Sequence, residues 1–539
     1  MRRLSFLKRH RAFLALFLAA AALIAPFCGH PVLASLGDDS ASYLTLARHL
    51  SPFGGDALLE PWTRYVVHFP PLFPLLLALT GADGNLLAAH LVVAACALCA
   101  LALVYAYACR ALESRAAGLL VAALFLLAPG AWIPVLGIMS EPLYLALTLA
   151  ALSWRESVGT DANWKHEAAL GLLVSAAVLT RTAGIALVAA CAVHVAIAAR
   201  ASRRLEPASV LPVALPLLSL LLWRAVRPEP AHDVYGTFWS AIAARWLHDP
   251  QMAAWAWSAF FGGWVSTFTA DSSVASLVRI AFGALGALGL AGAAMRAWRN
   301  RLDGWYVLAS VAMVFAYTFP EAQMRRLLYP LVPLVLVHAA IALRELALRF
   351  SPRAAAKMLV AAWAIAAVLT LPATLLVARR ALDREPLVPG LPYSAASTSD
   401  YYGTLDGALA LSAAKLNVVT LAGLELAGRA TPAGARIMWT RPEYVGLLSR
   451  REGIAQSTRW DGPALAKALL ESRTDFLVAA RLYKSDVDGI SADAYTPLMT
   501  ATPAYLHPVF SLAGPRGPGD FVLFAVDRAA LERHVAGAS

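Results

Sequence analysis

Two adjacent carboxylates, Asp38 and Asp39, stand in the stretch Gly37-Asp38-Asp39-Ser40-Ala41-Ser42-Tyr43-Leu44-Thr45-Leu46-Ala47-Arg48-His49-Leu50, directly after a very apolar segment. Wound at 3.6 residues per turn, Leu36, Asp39, Tyr43, Leu46, Ala47 and Leu50 share one stripe, while Asp38, Ser42, Thr45 and His49 flank it on a polar side. Asp39 is thus expected on the apolar face of a helix that lies along a membrane surface or docks on neighbouring helices. A carboxylate there is costly unless it has a task or a partner. A carboxyl group partly withdrawn from water has its pKa raised toward working pH and can take a proton from an attacking hydroxyl. Asp38 has a simpler reading, because an Asp after Gly and ahead of an amphipathic run is a preferred N-cap. Asp39 is therefore assigned the chemistry and Asp38 capping or support.

Other charges within the apolar segments are scarce and gather at segment ends facing the same side: Glu141 in Ser140-Glu141-Pro142-Leu143, Arg181, and Arg325 with Arg326. The arginines fit an anion site or snorkelling at a helix end, and Glu141 fits either a site or an acid favoured by a helix N-terminus. Asp38 and Asp39 with His68 could hold a divalent cation, but no fixed ligand spacing marks a metal site, and none is assigned. His90, His194 and His338 lie singly in apolar segments and read as core residues. Cys96-x-x-Cys99 has only Leu, Ala and Val around it and reads as helix packing.

These side chains must be positioned by membrane helices. Of 539 residues, 59% are hydrophobic and 15% charged, against roughly half apolar and a quarter charged in soluble domains. The net charge of +11 comes from Lys and Arg clustered between apolar segments, a pattern of membrane orientation that excludes a nucleic-acid-binding face.

Arg2, Arg3, Lys8, Arg9 and Arg11 precede an apolar run from about residue 13 to 32, read as an uncleaved signal anchor because it is long enough to span, with a signal peptide cleaved near Val32-Leu33-Ala34 as the alternative. Further spans read as 85–109, 116–133, 141–154, 167–184, 185–199, 207–225, 275–295, 304–319, 327–344 and 357–378, about eleven helices in all. Arg110 and Arg115, Arg155 and Lys165, Arg200, Arg203 and Arg204, Arg296, Arg299 and Arg301, and then Arg344 to Lys357 fall in loops that alternate to the cytoplasmic side. The chain is thus expected to be multi-pass in the plasma (inner) membrane, with the N-terminus cytoplasmic and the C-terminus extracytoplasmic.

The expected domains are 1–378, a membrane domain with long external loops at 33–84 and 227–274, and 379–539, a soluble extracytoplasmic α/β domain. The first loop carries the Asp39 helix and then His68-Phe69-Pro70-Pro71-Leu72-Phe73-Pro74. In the second, Trp239, Trp246, Trp255, Trp257 and Trp264 read as an interfacial belt or a stacking surface. The tail shows strand-like runs at Arg436–Trp439, Phe476–Ala480, Val509–Leu512 and Phe521–Val526 between helical stretches near 419–428, 441–450 and 463–473. Gly514-Pro515-Arg516-Gly517-Pro518-Gly519 reads as a turn between the last two strands, since no helix follows it as a phosphate loop requires.

The run from Asp39 through Tyr43 and Ala47 to Arg48 behind the first membrane helix resembles the first-loop acidic motif of the GT-C glycosyltransferases, in particular the protein O-mannosyltransferase and lipid A aminoarabinose transferase superfamily. So do Pro70-Pro71-Leu72-Phe73-Pro74, Ser140-Glu141-Pro142-Leu143, and Arg326 with Leu328, Pro330 and Pro333. The resemblance covers most of residues 1–380 through the order of its motifs. It implies a polytopic helical GT-C-like fold and an inverting transferase with the Asp39 position as general base. The implied donor is a polyprenyl-phosphate-linked sugar, with Tyr43, His68, Glu141, Arg181, Arg325 and Arg326 as donor-binding candidates, and the implied acceptor is a cell-envelope lipid, glycan or protein. Relatives often have Asp-Glu where this chain has Asp39-Ser40, and a charged pair where it has His68-Phe69.

The chemistry is consistent with that reading. A leaving phosphate of low proton affinity needs no second carboxylate to protonate it, but its developing charge calls for Arg or Lys donors. Glycoside hydrolysis would want two acids about 5–9.5 Å apart, and neighbours on different helix faces suit that poorly. A transporter or lipid-linked-glycan flippase also has many helices, yet would place ionisable groups at the midplane and show internal repeats, and neither is evident.

Overall fold

Long apolar runs leave the backbone no hydrogen-bond partner in lipid except itself, so they must be helical, even where Pro26, Pro216 and Pro372 fall inside them. The computed structural model describes residues 2–29, 33, 39–158, 163–231, 234–317, 319–349, 351–456, 462–480 and 502–538. Asp38 lies outside them. A helix stands at each of the eleven expected positions. Eight described helices are long and apolar enough to cross a membrane, or nine if Arg115–Leu127 and Pro129–Leu136, bent by 81°, form one span. One of the eight, Gly407–Ala430, packs along the C-terminal sheet instead. The expected spans that fall short are Trp164–Thr180 and Leu302–Ala316, at 17 and 15 residues, and Glu141–Val158, which carries Glu141, Arg155 and Glu156.

The chain divides into two compact units. The first comprises Met1–Gly29, Val67–Leu76 and Ala88–Arg379, and the second His30–Val66, Leu77–Leu87 and Arg380–Ser539. The boundary near residue 379 matches the change of composition. The difference from expectation lies in the first loop: most of it, with the helix Ser40–Leu50, belongs to the unit of the C-terminal segment.

In the membrane unit, the helices Ser276–Trp298 and Val332–Leu348 pack most closely. Their contact runs over a glycine row, where a Cβ on Gly289 would meet the Val335 side chain and one on Gly292 would overlap the His338 carbonyl. Gly292→Ala is therefore expected to destabilise the protein by about 1–3 kcal/mol through overpacking. A thermal melt in detergent reads this, and an unchanged midpoint would mean that the two backbones stand further apart.

The expected external loop 227–274 is largely helical. It forms the helices Val234–His248 and Met252–Thr269, parted at Asp249-Pro250. Its tryptophans divide, with Trp239, Trp255 and Trp257 exposed and Trp264 buried, donating from Nε1 to the Phe282 carbonyl at 2.8 Å. Buried charge is not confined to one end of the helices either. Asp303 accepts from Tyr107 Oη at 2.5 Å and from Arg296 Nη2 at 2.6 Å, and pairs with His338 Nε2 at 3.1 Å. Arg296 also pairs with Glu156. Glu141 and Glu156 stand on one helix, about 22 Å apart at 1.5 Å per residue. Asp303 and Glu156 lay outside the expected spans because the helices run past 304 and 154, to Leu302 and Val158.

In the second unit, five strands, β1 (Arg436–Trp439), β2 (Glu452–Ala455), β3 (Phe476–Ala480), β4 (Leu506–Gly514) and β5 (Gly517–Val526), form one sheet of order β2-β1-β3-β5-β4. β1 runs parallel to β2 and β3, and β5 antiparallel to β3 and β4. β2 is the strand missing from the sequence reading. Gly514-Pro515-Arg516-Gly517 is the β4–β5 hairpin turn, held by the Arg516 amide donating to Asp520 Oδ2 at 2.8 Å. Gly407–Ala430 is capped by Asp406, whose Oδ1 accepts from the Ala408 and Leu409 amides, and its Gly423 lets the Phe521 ring of β5 approach the backbone.

Candidate functional site

Glu141 opens the helix Glu141–Val158, with Pro142 in the first turn where its missing N–H costs nothing. The side chain is fully buried. An unpaired carboxylate in that position would be expensive, and two guanidinium groups meet it. Arg181 follows the last residue of Trp164–Thr180 in an extended conformation, φ −149° and ψ 139°. This turns its side chain back, so that Nη1 lies 2.8 Å from Glu141 Oε1 and donates to Ser140 Oγ at 3.1 Å. Arg326, in the last turn of Glu321–Leu328, donates from Nε to the same Oε1.

Two cations thus share one carboxylate oxygen, and the other, Oε2, is buried without a hydrogen-bond partner. Two guanidinium groups stand against this one carboxylate. Tyr144, Tyr306 and Tyr317 line the same pocket with the apolar Val314 and Leu331, and the Tyr144 and Tyr306 hydroxyls are hydrogen-bonded at 3.0 Å. Such a site suits an anion, because charge-assisted donors are already gathered in a region of low dielectric.

An apolar cavity of about 320 Å³ is lined by Trp257, Phe260, Phe261 and Trp264 and reaches Leu331, which also lines the arginine pocket. Gly283 and Gly286 open its wall: a Cβ on Gly286 would press on the Trp264 indole at 2.9 Å.

The remaining expected residues are placed differently. Arg325 is buried and donates from Nη1 to the Ala270 carbonyl at 3.0 Å, just past the end of Met252–Thr269. His68 is half-buried in the membrane unit with its ring 4.3 Å from that of Phe69. Neither Arg325 nor His68 lines the Glu141 pocket.

Asp39 and Tyr43 belong to the second unit. The helix there begins at Ser40, so Asp39 holds the N-cap position expected of Asp38, and its carboxylate makes no capping hydrogen bond. The correction follows from where the helix starts, since a residue ahead of the first turn has no place on the stripe. Within the helix Tyr43, Leu46 and Ala47 are buried as expected. Thr45, expected on the polar flank, is buried too, with no partner for its hydroxyl.

The pocket tyrosines were missed because a Tyr in an apolar run reads as core, and the signal available was that Tyr144 and Tyr306 lie within helices that also carry charges, with Tyr317 just past the end of one. Among the described residues no group of three or more His, Cys, Asp or Glu side chains gathers as metal ligands.

No protein-family model and no curated protein matches the sequence. Solved structures do match it. ArnT from Cupriavidus metallidurans bound to undecaprenyl phosphate is 15% identical with a TM-score of 0.55, over 96% of this chain and 98% of that one. The same protein in the apo state gives 15% and 0.53, over 97% and 99%. The archaeal oligosaccharyltransferase AglB from Archaeoglobus fulgidus, with an inhibitory peptide and a dolichol-phosphate, is 13% identical with a TM-score of 0.47, over 88% and 69%. The match along nearly the whole of both chains shows that this polytopic helical membrane protein has the fold of the two ArnT structures, the GT-C fold that its motif order implies.

Proposed function

We propose that the protein is a membrane glycosyltransferase that moves a sugar from a polyprenyl-phosphate-linked donor to a cell-envelope lipid, glycan or protein. The observation that carries this reading is the buried Glu141 oxygen shared by Arg181 and Arg326, in a chain with the fold of a protein solved with undecaprenyl phosphate. Arg181 and Arg326 hold the donor phosphate and stabilise the charge that develops on it as the C1–O bond breaks. The apolar cavity beside them takes part of the isoprenoid chain. Asp39 accepts the proton of the acceptor hydroxyl as that oxygen attacks C1 from the opposite face, so the configuration inverts. The Tyr43 amide, donating to the Asp39 carbonyl at 2.9 Å, fixes Asp39 at the head of the helix. The basic loops support an N-terminus in the cytoplasm and residues 380–539 outside the inner membrane.

Mass spectrometry of envelope glycans and lipids from cells with and without the protein tests this. A species heavier by one monosaccharide is expected only where the protein is present, and its composition identifies the sugar and the acceptor. Identical envelopes, together with no binding of polyprenyl phosphate to the purified protein, would dispose of the proposal. A reporter fused after Ser539 is expected to behave as non-cytoplasmic.

A further inference from the structure

The helix that Asp39 opens, Ser40–Leu50, is packed against a segment almost four hundred residues later. It lies on the turn Pro442–Tyr444 that directly follows β1, the strand paired on both sides by parallel neighbours. The contact continues beyond the helix. Leu59, fully buried, approaches the bare Cα of Gly446, where a Cβ would stand 2.8 Å from Leu59 Cδ2.

Asp56 and Arg450 then join the two segments, with Nη1 2.6 Å from Oδ2. The Asp56 side chain is 3% exposed and that of Arg450 is 53% exposed. Asp56 is itself fixed in a local turn: its Oδ1 accepts from the Leu58 amide at 3.1 Å, and its carbonyl accepts from the Leu59 and Glu60 amides. Arg450 projects from a left-handed residue, φ +55°, at the end of the 445–449 turn. The C-terminal end of Ser40–Leu50 is tied separately, by Arg48 Nε donating to the Asp83 carbonyl at 2.8 Å and by His49 to Glu60 at 3.1 Å. A short helix of 11 residues is marginal alone in water, so its place depends on these contacts.

We infer that the C-terminal α/β segment holds the Asp39 helix in its working position, with Arg450 and Asp56 as positioning residues that act through Asp39. The inference rests on the proposed role of Asp39 as base. The tail is then part of the catalytic apparatus rather than an appended module, and the ion pair sets the turnover rate without touching donor.

The test uses full-length protein in lipid nanodiscs, with donor and acceptor supplied as a membrane extract of cells lacking the protein. Arg450→Gln and Asp56→Asn are each expected to lower kcat by about 10- to 100-fold, the scale of an ångström of misplacement, with donor KM within about twofold. Asn at 56 keeps the turn, so a loss there reports the ion pair. Arg450→Lys should retain most of kcat. Reversal of both charges, Asp56→Arg with Arg450→Asp, should recover part of what either single reversal loses. Amide exchange over residues 40–50 should quicken in Arg450→Gln and not in Arg450→Lys. The exchange reading also shows that each variant is folded, because the sheet amides should stay protected.

Unchanged kcat, or faster exchange at 40–50 with kcat intact, would overturn the inference, and so would a rise in KM with kcat unaltered. Asp39→Asn assayed alongside separates the two readings. Full activity in that variant removes the base itself, whereas an inactive Asp39→Asn beside a fully active Arg450→Gln removes only the positioning role.

Discussion

Asp39→Asn should lower sugar transfer by about 10²–10⁴, the range for loss of a general base, while binding of donor lipid stays within about twofold. The substitution keeps the shape of the side chain and the start of the helix. Asp39 stands at the N-cap of Ser40–Leu50, but its carboxylate makes no hydrogen bond to the first turn, and Asn is as good an N-cap as Asp. The helix should therefore start where it does now, and the change at this position is the loss of the carboxylate's charge and basicity. Single-turnover transfer measured beside native mass spectrometry of bound polyprenyl phosphate separates the two quantities. Full transfer by Asp39→Asn would eliminate the mechanism, whereas weak lipid binding with normal turnover would move Asp39 from base to donor contact. Asp38→Asn is expected to cost less, and an equal loss from both would argue for a shared divalent cation.

What could be read from the sequence follows from how each signal is encoded. Spans were legible because lipid exposure demands some twenty apolar residues in a row, which few other structures produce. β1 and β3 were legible to the residue because both are short apolar runs between polar turns. β2 was not, since Glu452-Gly453-Ile454-Ala455 offers only one large apolar side chain and a glycine, and its strand state comes from pairing with β1. The helices in 227–274 were hidden by their tryptophans, which suit an interface equally well in a loop or a helix.

The grouping of Glu141 with Arg181 and Arg326 was suggested by their shared place at segment ends. The split between Arg325 and Arg326 could not be. Adjacent residues on a helix point about 100° apart, so only one could meet Glu141, and the partner that decides, the Ala270 carbonyl, lies 55 positions away in sequence. The association of Asp39 with the C-terminal unit was equally out of reach, because Asp56 and Arg450 are unremarkable charges in two polar stretches until the fold joins them.

Arg326→Gln should raise donor KM by about 10- to 100-fold, because a charge-assisted hydrogen bond to phosphate contributes about 1.5–3 kcal/mol and each 1.4 kcal/mol is tenfold. The buried Glu141 carboxylate complicates any single substitution, since removing a partner from a buried pair also leaves charge uncompensated. Here the geometry helps, for Arg181 remains 2.8 Å from Oε1 when Arg326 is gone. The double substitution decides between the two roles of Arg326. If it serves only to neutralise Glu141, then Glu141→Gln with Arg326→Gln removes both charges together and donor KM should return close to the starting value. If it holds the donor phosphate, the double variant still lacks the Arg326 contact, with Arg181 alone left to meet the phosphate, and KM should stay well above the starting value. The coupling energy of that cycle is therefore the measurement: large and favourable for an ion pair that only supports the fold, small for an arginine whose second partner is the substrate.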